Sequence, residues 1–168
     1  RAKNVSDTNA FGTLENLYQS GKEWFLQSTL SYPLKETNFR ILVGGERCLQ
    51  PYSMSVFNIS AMSLGSLSAA AIEALNQGAK LGGFAHDTGE GAISPYHKKH
   101  GGDLIWELGT GYFGCRNHNG TFSAEKFAER SRIEQVKMIE IKLSQGAKPG
   151  KGGVLPKEKI TPEIAETR

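Results

Sequence analysis

Val56-Phe-Asn-Ile-Ser-Ala-Met-Ser-Leu-Gly65, followed by Ser68 and Ala69-Ala-Ala-Ile-Glu-Ala-Leu-Asn-Gln-Gly78, is the stretch on which the fold reading turns. Val56 to Ile59 is β-prone, the residues up to Gly65 are small or polar, and Ser68 offers a hydroxyl to cap a helix. Apolar residues at 71, 72, 75 and 79 then recur at helical spacing, which predicts a helix over 69–78 packing through Ile72 and Leu75. Strand, glycine-bearing turn and helix in that order open a βα unit.

The unit recurs downstream. Gly83-Phe-Ala-His86 reads as a short strand running into Asp87-Thr-Gly-Glu-Gly91, and Asp103-Leu-Ile-Trp-Glu-Leu108 as another ending in Gly109-Thr-Gly111. Ser123 caps a helix over 124–130, and Val136 to Leu143 alternates apolar and polar residues before the Gly-rich run 144–153. Thr161-Pro162 has the form of N-cap and N1 of a last short helix. Alternating β and α elements predict parallel strands, with those near 56–61, 83–87 and 137–143 lying adjacent. Each Gly- and polar-rich turn follows a strand's C-terminal end, the edge that carries the ligand site in parallel architectures. A full (β/α)8 barrel takes roughly 250 residues, so 168 residues provide only three or four units. The expected organisation is a lead-in over 1–50, with a helix at Thr13–Gln19 and a strand at Phe39–Val43, and the N-terminal part of a barrel over 51–168.

Composition narrows the class. Twenty Lys and Arg against 17 Asp and Glu give a thin net charge of +3, with no basic block longer than Lys98-Lys99, so neither nucleic acid nor an anionic membrane is implied. No apolar run approaches the ~20 residues of a membrane span. The chain opens on Arg1-Ala-Lys3 without an initiator Met, read as a missing N-terminus. Cys48 and Cys115 stand 67 positions apart, which indicates neither a disulfide framework nor a zinc site and suits a reducing cytoplasm. The N-x-S/T triplets at Asn4, Asn58 and Asn119 are then chance matches.

Several motifs fail on context. Gly109-Thr-Gly-Tyr-Phe-Gly114 satisfies G-x-G-x-x-G, but a turn cluster follows it where a diphosphate needs a helix N-terminus. Gly146 to Gly152 is one residue short of a P-loop and lacks its Ser/Thr. His97-x-x-His100 has ligand-like spacing without a third ligand to match in its Lys-rich loop, so surface histidines are expected. Asp87 and Glu90 cap a turn, pair with a lysine, or serve a site; their place directly after a strand favours the site.

Glu140-Ile-Lys-Leu-Ser-Gln-Gly-Ala-Lys-Pro-Gly150 is the richest stretch. Lys142 falls near a strand's C-terminal end, where its ammonium would be a fixed positive charge beside a bound cofactor. A reduced flavin carries negative charge near N1, which such a lysine suits. Gln145 and Lys148 are placed to grip an anionic substrate, although an exposed basic turn has the same composition.

Ile59-Ser-Ala-Met-Ser-Leu-Gly-Ser-Leu-Ser68, Asp87-Thr-Gly-Glu-Gly91, Gly111-Tyr-Phe-Gly114 and Ile141-Lys-Leu-Ser-Gln-Gly-Ala-Lys-Pro-Gly150 with Gly152-Gly153 and Leu155-Pro156 resemble, in order and spacing, the FMN-binding domain of glutamate synthase. The resemblance runs from about Asn58 to Ile160. The lead-in, with Phe11-Gly-Thr-Leu14 and Trp24-Phe-Leu-Gln-Ser28, is most similar to shorter bacterial and archaeal relatives that lack a fused glutaminase domain. The resemblance implies a (β/α)8 barrel holding FMN and a [3Fe-4S] cluster. It implies an oxidoreductase acting on CH-NH2 donors, reducing the imine of 2-oxoglutarate and ammonia to glutamate, without fixing the electron donor. It places Ala61, Met62 and Ser63 along the flavin, Lys142 at the flavin N1/O2 side, and Gln145 and Lys148 against flavin or keto acid, with Thr88 and Glu90 as further substrate-binding members. The closely spaced cluster cysteines and the later strand ends for the FMN phosphate are missing, so the remaining barrel is expected from a longer chain. A related flavoenzyme making N-methylglutamate, and a non-catalytic fragment or scaffold piece, are the alternatives.

Overall fold

A computed structural model describes residues 20, 21, 23, 26, 29–33, 35, 38–144 and 155–168. The chain divides into two compact units, Arg1–Thr37 and Asn38–Arg168. The described residues of the first carry neither helix nor strand. The helix expected at Thr13–Gln19 lies outside the described residues.

The second unit is mixed α/β. It opens with an antiparallel pair, β1 (Arg40–Val43) and β2 (Tyr52–Ser55), in which Arg40 lies opposite Ser55 and Val43 opposite Tyr52. The main body runs α1 (Ala69–Gly82), β3 (His86–Asp87), α2 (Pro95–Lys98), β4 (Leu104–Leu108), α3 (Ala124–Ser131) and β5 (Val136–Ile141). A 3-10 turn, Lys157–Lys159, and α4 (Pro162–Thr167) follow. No helix among the described residues is long and apolar enough to cross a membrane.

Strands β3, β4 and β5 form a parallel sheet in that order, each crossover carrying a helix. Ile59 extends it on the β3 side through a parallel bridge to His86, donating to Ala85 O at 2.9 Å and accepting from Asp87 N at 3.0 Å. Two expectations are thereby corrected. Residues 56–61 give a single bridge and no strand, because Val56 N donates back to Phe39 O at 3.2 Å, just past the end of β2, and only Ile59 pairs with the β3 side. The 83–87 and 137–143 strands are parallel but not adjacent, because β4 lies between them and pairs with both.

The α1 helix forms as its sequence dictates. The Ser68 hydroxyl accepts from Ala71 N, and Gly83 closes the other end in the left-handed region at φ 65°. Ile72, Asn76 and Ala79 make a buried stripe, and Leu75 is half-buried beside it. Gly78 does not end the helix, which continues to Gly82. Ser94 and His97 cap α2 reciprocally: Ser94 Oγ accepts from His97 N, and His97 Nδ1 accepts from Ser94 N at 3.1 Å. His97 is therefore fully buried in a short helix instead of lying on a surface loop. That corrects the sequence reading, and the cause is the cap, which turns the ring inward.

All five residues of β4 are buried. Leu104, Trp106 and Leu108 face one side and build the core with Ile93 and Cys115, against which Phe127, Ile133 and Val136 pack. Trp106 and Phe127 rings stand 5.4 Å apart. Ile105 and Glu107 face the other side.

Asn76 ties α1 to the entry of β4. Its Oδ1 accepts from the buried Gly102 N at 3.1 Å, and a Cβ at position 102 would stand 2.6 Å from Asn76 O. Replacement of Asn76 by Ala leaves that N–H without its partner, so denaturant unfolding is expected to show a loss of about 1–3 kcal/mol.

Candidate functional site

Register sets the chemistry of the second face. Asp87 pairs with Ile105, and Glu107 pairs with Glu140. Side chains alternate along parallel strands, so Asp87, Glu107 and Glu140 share one face. One carboxylate oxygen from each lies within 4.8 Å of the other two. Asp87 and Glu107 are buried and Glu140 is exposed. Three carboxylates this close do not all ionise freely. Burial pushes the Asp87 carboxyl up to about 7; the Gly89 N–H donated to Oδ1 at 2.8 Å opposes this, and Glu107 and Glu140 add to the rise.

Lys142 supplies the opposite charge. Its main-chain N donates to Leu108 O at 3.0 Å, which continues the β5 pairing by one residue. Its Nζ stands 3.4 Å from Glu107 Oε1 and 3.6 Å from Glu90 Oε2. Burial works to lower the pKa of this ammonium, but Glu107 and then Glu90 outweigh it and hold the group above its ordinary value.

These residues line a cleft of about 330 Å³ at the C-terminal ends of the strands. Ala61 and Ser63 form one wall, Glu90, Glu107 and Lys142 the floor, and Leu155, Lys159 and Arg168 the far side. Glycine makes the wall possible. Gly89 lies at φ +65°, where a Cβ would meet Ser63 N at 2.9 Å, and a Cβ on Gly91 would meet Ser63 Cβ at 2.9 Å. Gly109 similarly leaves room for Glu90, whose Oε2 would stand 2.7 Å from a Cβ there. Arg168 donates from Nη2 to Leu64 O at 3.4 Å and lies over the Phe113 ring at 5.1 Å. Three cations and two carboxylates leave the cleft suited to an anionic ligand.

Of the residues expected from sequence, Ala61, Ser63, Glu90 and Lys142 come together in the cleft. Met62 stands behind the wall; its N donates to Asp87 O at 3.1 Å, and its O pairs with His97 Nε2 at 2.9 Å. Thr88 is fully buried and does not line the cleft; its hydroxyl donates to Gly89 O at 3.0 Å and accepts from Glu107 N at 3.2 Å. Gln145 and Lys148 lie outside the described residues. Glu107 and Arg168 escaped sequence reading. Glu107 left one trace, a lone charge in the apolar run Leu104-Ile-Trp-Glu-Leu108, whereas Arg168 meets Leu64 across 104 positions.

Two neighbouring groups make stability depend on pH in opposite senses. His86 is fully buried, and burial, with His97 adding, lowers its pKa to about 4. Between about pH 4 and 6.5 the unfolded chain takes up that proton more readily, so this contribution strengthens as pH rises. Asp87 does the reverse: the folded form holds its proton up to about 7, so its contribution weakens as pH rises from about 4 to 7. Asp87→Asn mimics the protonated acid and keeps the acceptor for Gly89. Denaturant unfolding should show this variant gaining on the wild type from pH 5 to pH 8, by up to about 3 kcal/mol.

Residues 18–168 match the family model described as the conserved region in glutamate synthase. A glutamate synthase large subunit-like protein, YerD, of Bacillus subtilis (strain 168) is 45% identical over 129 residues, covering 76% of this chain and 24% of that protein. A glutamate synthase large subunit-like protein of Rhizobium meliloti (strain 1021) is 27% identical over 99% of this chain and 36% of its own length. An archaeal-type glutamate synthase [NADPH] of Thermotoga sp. (strain RQ2) is 38% identical over 65% of this chain and 19% of its own length. The chain thus spans about a fifth to a third of the length of these curated relatives. No solved structure matches it. A parallel sheet with a cationic cleft at its strand ends, in a sequence matching the family model over nearly its whole length, makes this chain a member of the glutamate synthase family.

Proposed function

We propose that residues 51–168 are the N-terminal part of a (β/α)8 barrel, preceded by a lead-in over 1–50. The barrel belongs to a cytoplasmic FMN-dependent oxidoreductase that reductively aminates 2-oxoglutarate, through iminoglutarate, to glutamate. The observation that carries this reading is the Lys142 ammonium, held by Glu107 and Glu90 beyond the C-terminal end of β5 and lining the cleft. Free Cys48 and Cys115 suit a reducing compartment.

The residues fit a flavin's ring system. Backbone at 61–63 forms a wall that glycines 89 and 91 keep close, and Lys142 is a fixed cation at the floor. FMN, when bound, supplies the two electrons that reduce an imine to an amine. Lys142 would stabilise negative charge at the flavin N1/O2 side. Arg168 and Lys159 would take the carboxylates of the keto acid, and Glu90 would fix its neighbour Lys142 against them. Gln145 and Lys148 are proposed to contact flavin or keto acid. Thr88 serves from behind, by holding the Glu107 backbone. The described residues do not fit an iron–sulfur cluster: Cys48 is exposed and Cys115 is buried in the hydrophobic core.

Two experiments test this. β5 has no partner on its outer edge among the described residues, and Ile141 and Leu143 are exposed. The 168-residue chain is therefore expected to purify colourless and the full-length protein yellow. Stoichiometric flavin absorbance in the short chain would contradict the proposed sharing of contacts among strands. In the full-length protein, Lys142→Met should cost about 10²–10³ in the rate of reductive amination, roughly 3–4 kcal/mol, and lower the flavin reduction potential. Lys157, exposed in the 3-10 turn, is the control and should change neither quantity.

A further inference from the structure

We propose that Glu107 is a positioning residue for Lys142: from the central strand, its carboxylate holds the lysine ammonium at the floor of the cleft. The inference rests on the reading of Lys142 as the functional cation of the cleft and deepens it.

Burial is the first argument. Glu107 is 3% exposed in a strand that is otherwise apolar. A carboxylate so placed needs an opposite charge to remain ionised. Among the described residues, its close ionisable neighbours are Asp87 from β3 and Glu140 and Lys142 from β5 and its end, with Glu90, Lys159 and Arg168 lining the same cleft. Of the three cations, Lys142 is the one that an ion pair joins to Glu107, at 3.4 Å.

Rigidity is the second. The β4 strand is paired on both edges, and Glu107 N donates to the buried Thr88 hydroxyl at 3.2 Å. Lys142 lies past the end of β5 on a long flexible stem, with one main-chain bond to Leu108 O. Of its two acidic partners, Glu90 lies in a loop with its side chain 28% exposed, whereas the Glu107 side chain is 4% exposed. The rigid partner fixes the mobile one.

The test reads Lys142 directly. Lysines of the full 168-residue chain are labelled with 13C-methyl groups by reductive methylation and titrated by NMR, and the Lys142 signal is identified by its loss in Lys142→Arg. Glu107→Gln keeps the shape and removes the charge, so the Lys142 midpoint is expected to fall, and to fall further than in Glu90→Gln. Glu107→Asp keeps the charge with a shorter reach and should give a midpoint between wild type and Glu107→Gln; it also serves if the amide variant does not fold. In a Lys142→Met background, Glu107→Gln should raise the thermal midpoint, since the carboxylate has already lost its partner. In the flavin-loaded full-length protein, Glu107→Gln should lower turnover about 10²-fold and have no further effect once Lys142 is Met. An unmoved Lys142 midpoint in both Glu107 variants overturns the proposal. Wild-type turnover in Lys142→Met, with the midpoint shifted as expected, instead overturns the functional reading of Lys142 and leaves the Glu107 contact standing.

Discussion

Parallel pairing of β4 with a strand on either side is the constraint from which the rest of the second unit follows. A strand buried on both faces must divide its side chains between two environments. Leu104, Trp106 and Leu108 take the helix side, where α3 covers them through Phe127. Ile105 and Glu107 take the other. A shift of one residue in register would exchange the two sets, driving Glu107 into the hydrophobic core and Trp106 among the carboxylates. The irregularity between Leu104 and Ile105 in the β4–β5 ladder keeps Glu107 opposite Glu140.

That register concentrates acid on one face, and the local chemistry answers it in two ways. Burial and its acidic neighbours push the Asp87 carboxyl up to about 7, while the Gly89 N–H donates to it as a turn contact. Glu107 and Glu90 share the ammonium of Lys142. Neither device is cheap in desolvation, and a well-packed apolar face would fold at least as well. A charged arrangement kept under a cleft at the strand ends is more readily understood as chemistry than as stability.

The wall of the cleft is secured from behind by groups that never reach it. His97, in its neutral form, donates from Nε2 to Met62 O while Nδ1 accepts from Ser94. Burial lowers the pKa of this imidazole, against the pull of the Met62 carbonyl. The ring therefore couples the cap of α2 to the segment that carries Ala61 and Ser63. Two positions that read as a metal-like pair in sequence serve separate structural ends: His97 faces the Met62 carbonyl, and His100 stands 3.2 Å from Glu73 on α1.

Sequence alone determined the alternation of strands and helices, the cap at Ser68, the strand-end position of Lys142 and, through its motifs, the family. These are local properties: periodicity, capping residues and glycine placement act over a few positions and leave their mark in order. Tertiary structure decided the rest. It inserted β4 between the two strands expected to be neighbours, turned His97 inward, and left the first β-prone run with a single bridge to the sheet. It also brought Glu107 and Arg168 to the cleft, the first through strand register and the second from 104 positions beyond its Leu64 contact. Side-chain facing in a buried strand and contacts between distant segments depend on which strands pair, and pairing between segments far apart in the chain is set by packing of the whole unit.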